Sequence, residues 1–216
     1  MNALQNFVAV TLLACLSVAG AQAATPDDLI QSIQKRWAEI KYQLPEKQQA
    51  DQYQALAQES RRLADANPGV AEVLIWEGIV LSSEAGVRSG LGALSLAKEA
   101  RQRFDEALKL NDKALGGSAY TSLATLYAKV PGWPIGFGDK DKAEDYFKKS
   151  LGINPDGIDP HFFYGEYLLD RGRHAEARGH LETALKAPAR PGRELADQGR
   201  RKEVAVLLEK LNKDNK

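Results

Sequence analysis

From residue 28 onward, apolar side chains recur three and four positions apart, the spacing of helices that bury one face, and no segment alternates as a strand would. Leu29, Ile30, Ile33, Trp37 and Ile40 share one face of a predicted helix over 28–42, interrupted by Pro45. A second helix is predicted over 46–66 and ends at Asn67-Pro68-Gly69. The segment 71–83 is apolar nearly all round, the mark of a central, buried helix. Helices over 94–110 and 118–130 follow. Asp141 with Glu144 three residues on resembles a capping box, and Asp159 before Pro160 reads as an N-cap followed by proline at the first helical position. Gly172 suits the left-handed residue that closes that helix, Pro188 and Pro191 end the next, and a charged helix over 194–211 is placed to cap the array.

The strongest signal is internal repetition. Ala177-x-x-x-Leu181-x-x-Ala184 is preceded by Ala143-x-x-x-Phe147-x-x-Ser150, 34 residues earlier, and by Ala100-x-x-x-Phe104-x-x-Ala107, 43 before that. Each follows a helix carrying a small residue, Gly78, Ala124 or Gly165. Small residues at a crossing let antiparallel helices approach to about 8 Å, and the large side chain fills the space toward the next pair. A pair of this kind cannot bury both faces alone and must stack. The fold class predicted is therefore all-α: an antiparallel helix-pair solenoid of about three repeats plus flanking helices.

Gly165, Leu168, Gly172, Ala177, Leu181 and Ala184 stand in the register of the tetratricopeptide repeat, with Pro188 one residue short of its usual place. Tyr127, Ala143, Phe147 and Pro155 match in the preceding repeat, and Gly78, Leu81, Ala100, Phe104 and Ala107 in the one before. The chain thus resembles tetratricopeptide-repeat proteins over about 71–188. It departs from them in two segments reading G-x-x-x-G-x-G, 86–92 and 132–138, placed 46 residues apart. A three-repeat array with such insertions resembles the T-component of TRAP transporters, periplasmic helical-repeat proteins thought to work beside a solute-binding protein. The domain reading is a leader at 1–23, a helical hairpin at 24–69, repeats at 70–188 with Gly-rich insertions at 86–92 and 131–139, and a capping helix at 189–216.

The leader changes the setting. Residues 1–26 carry no charged side chain, Phe7 to Ala19 is almost wholly apolar or small, and Ala21-Gln22-Ala23 is a small-x-small site. This predicts a secretory signal peptide cleaved after Ala23 and export to the periplasm. The competing route is lipidation of Cys15, since Leu12-Leu13-Ala14-Cys15 resembles a lipobox, and only then is a membrane expected as a partner. Cleavage after Ala23 removes the chain's one cysteine, leaving no disulfide and no thiolate chemistry. With 29 basic and 29 acidic residues, spread rather than clustered, no nucleic-acid partner is expected.

Candidate chemistry is sparse. No nucleophile elbow, dinucleotide fingerprint, calcium loop or His-ligand motif is present, so no cofactor, no metal and no enzymatic activity are expected. His161, His174 and His180 read as surface or packing residues, Asp139, Asp141, Asp156 and Asp159 as turn and capping residues, and Arg200-Arg201-Lys202-Glu203 as a solvated helix face. The segment 130–139 is the most distinctive, because proline and glycine restrain a loop that presents Trp133 and Phe137. Two readings stay open for it: a recognition surface, or a plug that folds back over a helix pair. The expected function is binding of a protein partner, with an apolar small ligand as the alternative. Candidate contacts are Trp133, Phe137, Tyr127 and Tyr164, while Trp76 is expected in the core.

Overall fold

A computed structural model describes residues 25–214. The leader, its cleavage site and Cys15 lie outside the described residues. Within them the chain forms nine helices: α1 (Pro26–Gln43), α2 (Glu46–Ala66), α3 (Ala71–Val87), α4 (Gly90–Leu110), α5 (Ala114–Lys129), α6 (Lys140–Ile153), α7 (Ile158–Asp170), α8 (His174–Lys186) and α9 (Glu194–Asp214). Contacts run mainly between consecutive helices, with α3 on α4, α5 on α6 and α7 on α8 as the principal pairs. The architecture is all-α and built of consecutive antiparallel helix pairs.

Local chemistry explains most boundaries. Thr25 and Asp28 form a reciprocal capping box at the start of α1, preceding Pro26 at the first helical position. Gly172 closes α7 at φ 71°. Two capping expectations are corrected. The cap of α6 is Asp139, whose carboxylate accepts from the Lys142 amide at 3.0 Å, rather than Asp141. Asp159 caps nothing, because α7 begins at Ile158 and the Asp159 carboxylate is drawn into an arginine cluster. The expected insertion at 86–92 also dissolves into helix. Arg88 turns back to pair with Glu84 at 2.8 Å, α3 continues to Val87, and α4 starts after two linking residues. Only the second segment, 130–139, is a loop.

The small and large repeat positions meet at the pair crossings. Ala100, Phe104, Ala107, Ala124, Ala143, Phe147, Ala177, Leu181 and Ala184 are all buried. A Cβ on Gly78 would lie 2.5 Å from Phe104 Cε1, and one on Gly165 would lie 2.9 Å from Leu181 Cγ. Glycine at these two positions is what lets the ring or the leucine reach the opposite backbone.

The odd-numbered helices also form a second set of contacts. α1 touches α3, α3 touches α5, α5 touches α7, α7 touches α9, and α9 returns to α1. Among the described residues the backbone of each even-numbered helix packs only on the two odd helices beside it, while Arg61 of α2 reaches across to Glu99 of α4 at 2.8 Å. The pairs therefore close into a ring, five helices inside and four outside. The last helix joins the two ends of the array rather than capping one of them.

Candidate functional site

The four aromatic residues singled out from the sequence do not form one site. Trp133 is 90% exposed and Ile135 68% exposed at the tip of the 130–139 loop. Phe137 folds back, partly buried, with its ring edge-on to Tyr127 at 5.5 Å and the Arg101 guanidinium 4.5 Å from its centroid. The loop thus divides its aromatics: Phe137 folds back as a plug, and Trp133 projects into solvent. The loop holds this shape because Gly138 donates from its amide to Pro131 O at 2.9 Å, and a side chain on Gly138 would collide with the Val130 carbonyl. Tyr127 is buried and its hydroxyl accepts from Lys142 Nζ at 2.8 Å. Tyr164 is buried in a stack with Phe147, centroids 5.2 Å apart, and its hydroxyl donates to Glu144. Burial, and then Glu144, push the Tyr164 pKa up to about 12, while Arg173 draws Glu144 down to about 2 against the opposing effect of burial. Tyr127 and Tyr164 are thus buried with their hydroxyls already partnered.

A concavity lies instead inside the helix ring. It holds about 1000 Å³, opens to solvent, and is lined by residues of α1, α2, α3, α5, α7 and α9 and their connections, with none from α4, α6 or α8. Its wall has three kinds of surface. Trp37, Trp76, Phe162 and Phe163 supply aromatic faces, Trp37 and Trp76 meeting edge-on at 5.9 Å. Ser118, Ser122 and Thr125 recur at helical spacing along α5 and, with Ser82 and Ser83 on α3, line it with hydroxyl side chains, while the Thr121 hydroxyl turns away to the buried Ser150. The Ser83 hydroxyl accepts from Trp37 Nε1 at 2.8 Å, which fixes that indole. Asp27, Asp28 and Glu46, all exposed, belong to its solvent rim.

The third surface is an arginine cluster brought in by α9 and the connection before it. Arg200 is 5% exposed, against the expectation of a solvated face. It donates to Asp159 at 2.9 Å and to Glu203 at 2.6 Å, and its guanidinium lies 4.3 Å from the Phe162 centroid. Arg190 donates to Asp159 at 2.7 Å and to the buried Asp197 at 2.8 Å. Burial opposes the charge on Asp159, but Arg200 and then Arg190 outweigh it and hold the carboxyl well below its ordinary range. The third arginine, Arg193, lies over Trp76 with 4.9 Å between guanidinium and ring centroid. Its Nε and the Trp76 Nε1 are both buried without a hydrogen-bond partner. Leu115, at the head of α5, also lines this space and stands at φ 49°, a left-handed conformation costing a leucine on the order of 1–2 kcal/mol.

No signal for the cluster was available from spacing alone, since Asp159 and Arg200 are 41 residues apart. The hydroxyl stripe of α5 could have been read from its three- and four-residue spacing.

A histidine pair sits apart, between α7 and α8. His161 Nε2 donates to Pro155 O at 2.7 Å, so neutral His161 offers Nδ1 as the acceptor for His180 Nδ1–H at 2.8 Å. His174 is exposed and belongs to no such contact. Burial, and then the repulsion of His161, depress the His180 pKa below its usual 6.5; Glu176 opposes this and Arg173 adds to it. A histidine with a depressed folded-state pKa contributes stability that is complete above the ordinary value and lost as the pH falls below it. The melting temperature is expected to fall between pH 7.5 and 5.5, and the fall to flatten in His180→Gln. An unchanged slope in that variant would remove the pair as its cause.

The chain matches no protein-family model and no curated protein.

Proposed function

We propose that this protein is a binding protein whose helix ring holds a small organic ligand, and that it acts by binding rather than by catalysis. The observation that carries this reading is the concavity of about 1000 Å³ inside the helix ring, lined by aromatic side chains and hydroxyls, a size and mixture suited to a ligand of a few rings. The repeat register supports a place among tetratricopeptide-like proteins, and the ligand chamber agrees with an accessory role in TRAP-type solute uptake. The apolar leader supports action in the periplasm after cleavage behind Ala23.

The test is a fluorescence titration of the mature protein with N-phenyl-1-naphthylamine, an uncharged aromatic dye. Saturable one-site binding is expected, lost in Ser122→Trp at an unchanged melting temperature and retained in Trp133→Ala. Binding that survives Ser122→Trp would place the ligand elsewhere.

A second reading, a scaffold for a protein partner, is favoured by one observation. Trp133 and Ile135 stand exposed on a restrained loop, and Leu94, one turn along α4 from the 86% exposed Leu91, lies against Gly136 of that loop. Loss of a cross-linked partner in Trp133→Ala would support it, and an unchanged set of partners would count against it.

A further inference from the structure

We propose that the ring cavity selects an organic monoanion: an acidic head group taken by Arg193, with its organic body in the chamber beside it. The inference rests on the chamber reading above and adds the chemical class of the ligand.

The argument starts from charge pairing. Arg190 is held by Asp159 and Asp197, and Arg200 by Asp159 and Glu203. Lys41 reaches the same Glu203 at 3.4 Å. Three carboxylates are thus already committed to two arginines and a lysine. Arg193 has no ion pair and no side-chain hydrogen bond among the described residues, although it is partly buried and lines the cavity. A guanidinium carries five donors in a fixed fork. The Arg193 Nε is buried without an acceptor, and a charged group left so in a half-desolvated place calls for a counter-charge. Burial, and then the neighbouring Arg190, lower its pKa to about 10, so it remains charged at neutral pH while its charge is disfavoured by its surroundings. An incoming anion relieves both effects.

The shape of the site selects the rest of the ligand. Arg193 lies over the face of the buried Trp76, which backs the guanidinium on one side with an apolar surface. Trp37 and Phe163 extend the apolar wall beyond it, and Ser118 and Ser122 offer hydroxyls that make no hydrogen bond within the chain among the described residues. A single unpaired cation matches a single negative charge. A dianion would bring a second charge with no free partner into a space that also faces Asp159 and Glu203.

The experiment compares two dyes with the same body. 1-Anilinonaphthalene-8-sulfonate carries one negative charge, and N-phenyl-1-naphthylamine is the same skeleton without it. The wild type is expected to bind the sulfonate at least about tenfold more tightly, the effect of one charge-assisted contact. In Arg193→Gln that preference disappears while binding of the neutral dye persists, and Arg193→Lys, which keeps the charge without the fork, retains part of it. Displacement of the bound sulfonate by 1-naphthoate is expected to exceed displacement by 1-naphthyl phosphate, and the reverse order would overturn the single-charge assignment. Equal affinity for the two dyes in the wild type, or a preference that survives Arg193→Gln, would overturn the anion site and leave the chamber standing. Failure of both dyes to bind would remove the chamber and the anion site together.

Discussion

Replacement of Arg200 by alanine is expected to destabilise the protein by about 3–5 kcal/mol, the cost of removing one partner from a buried charge cluster. Arg200 links three parts of the ring. It pairs with Asp159 at the start of α7, orients Glu203 on its own helix, and covers Phe162 and Phe163, at 4.3 and 4.5 Å from their centroids. Glu203 in turn accepts from the Tyr42 hydroxyl of α1 at 3.2 Å. Alanine leaves Asp159 to Arg190 alone, uncovers two aromatic faces and loosens the joint between α9 and α1. Chemical denaturation reads the loss as a lower midpoint, and an effect below about 1 kcal/mol, the size of an exposed ion pair, would show that the cluster is solvated after all. The same cluster sets an acid limit. The folded-state pKa of Asp159 is depressed, so its contribution is present above the ordinary carboxylate range and is lost as the pH falls below about 4.

Phe104→Ala is the second large effect, again about 3–5 kcal/mol, because a fully buried ring leaves a void the neighbours cannot fill. Its partner position allows a sharper test. In the wild type a methyl on Gly78 would meet the Phe104 ring at 2.5 Å, so Gly78→Ala alone destabilises through overpacking, by about 1–3 kcal/mol. In the Phe104→Ala background the same methyl enters vacated space and gains the helix propensity of alanine over glycine, about 0.5–1 kcal/mol. The sign of the Gly78→Ala effect is therefore expected to invert between the two backgrounds, measured as a double-mutant cycle in denaturant. Additive effects would mean that the two positions do not share the crossing.

The repeat crossings were legible in the sequence because they are written locally. A small residue on one helix and an Ala-x-x-x-large pattern on the next specify a close antiparallel pair, and Gly78 with Phe104 and Gly165 with Leu181 meet in that way. The ring and its chamber were not legible, because they depend on the far end of the chain returning to the start. α9 buries Ala196, Asp197, Arg200, Val204 and Leu211 on one face, and two of those five are charged, so hydropathy alone marks the face as solvated. Asp159 is equally misleading: before Pro160 it has the form of a cap, and only the tertiary approach of Arg190 and Arg200 turns it into an ion-pair centre. The first Gly-rich segment, 86–92, looked like the second but lacks the prolines that force 130–139 out of helix, and so it remains helical on both sides of a two-residue joint.

Closure of the ring underlies the chamber, the arginine cluster and the ligand class, and one cross-link tests it directly. A Cβ on Gly199 of α9 would lie 2.5 Å from Tyr42 Cγ of α1, which places the two Cβ positions within about 4 Å, inside the range of a disulfide. The variant Tyr42→Cys/Gly199→Cys, made in a chain beginning at Ala24 and so free of Cys15, is expected to oxidise nearly completely under mild conditions and to keep its helical content. Two thiols that remain free in the folded protein would mean that α1 and α9 do not meet, and that the helix pairs form an open array without a central chamber.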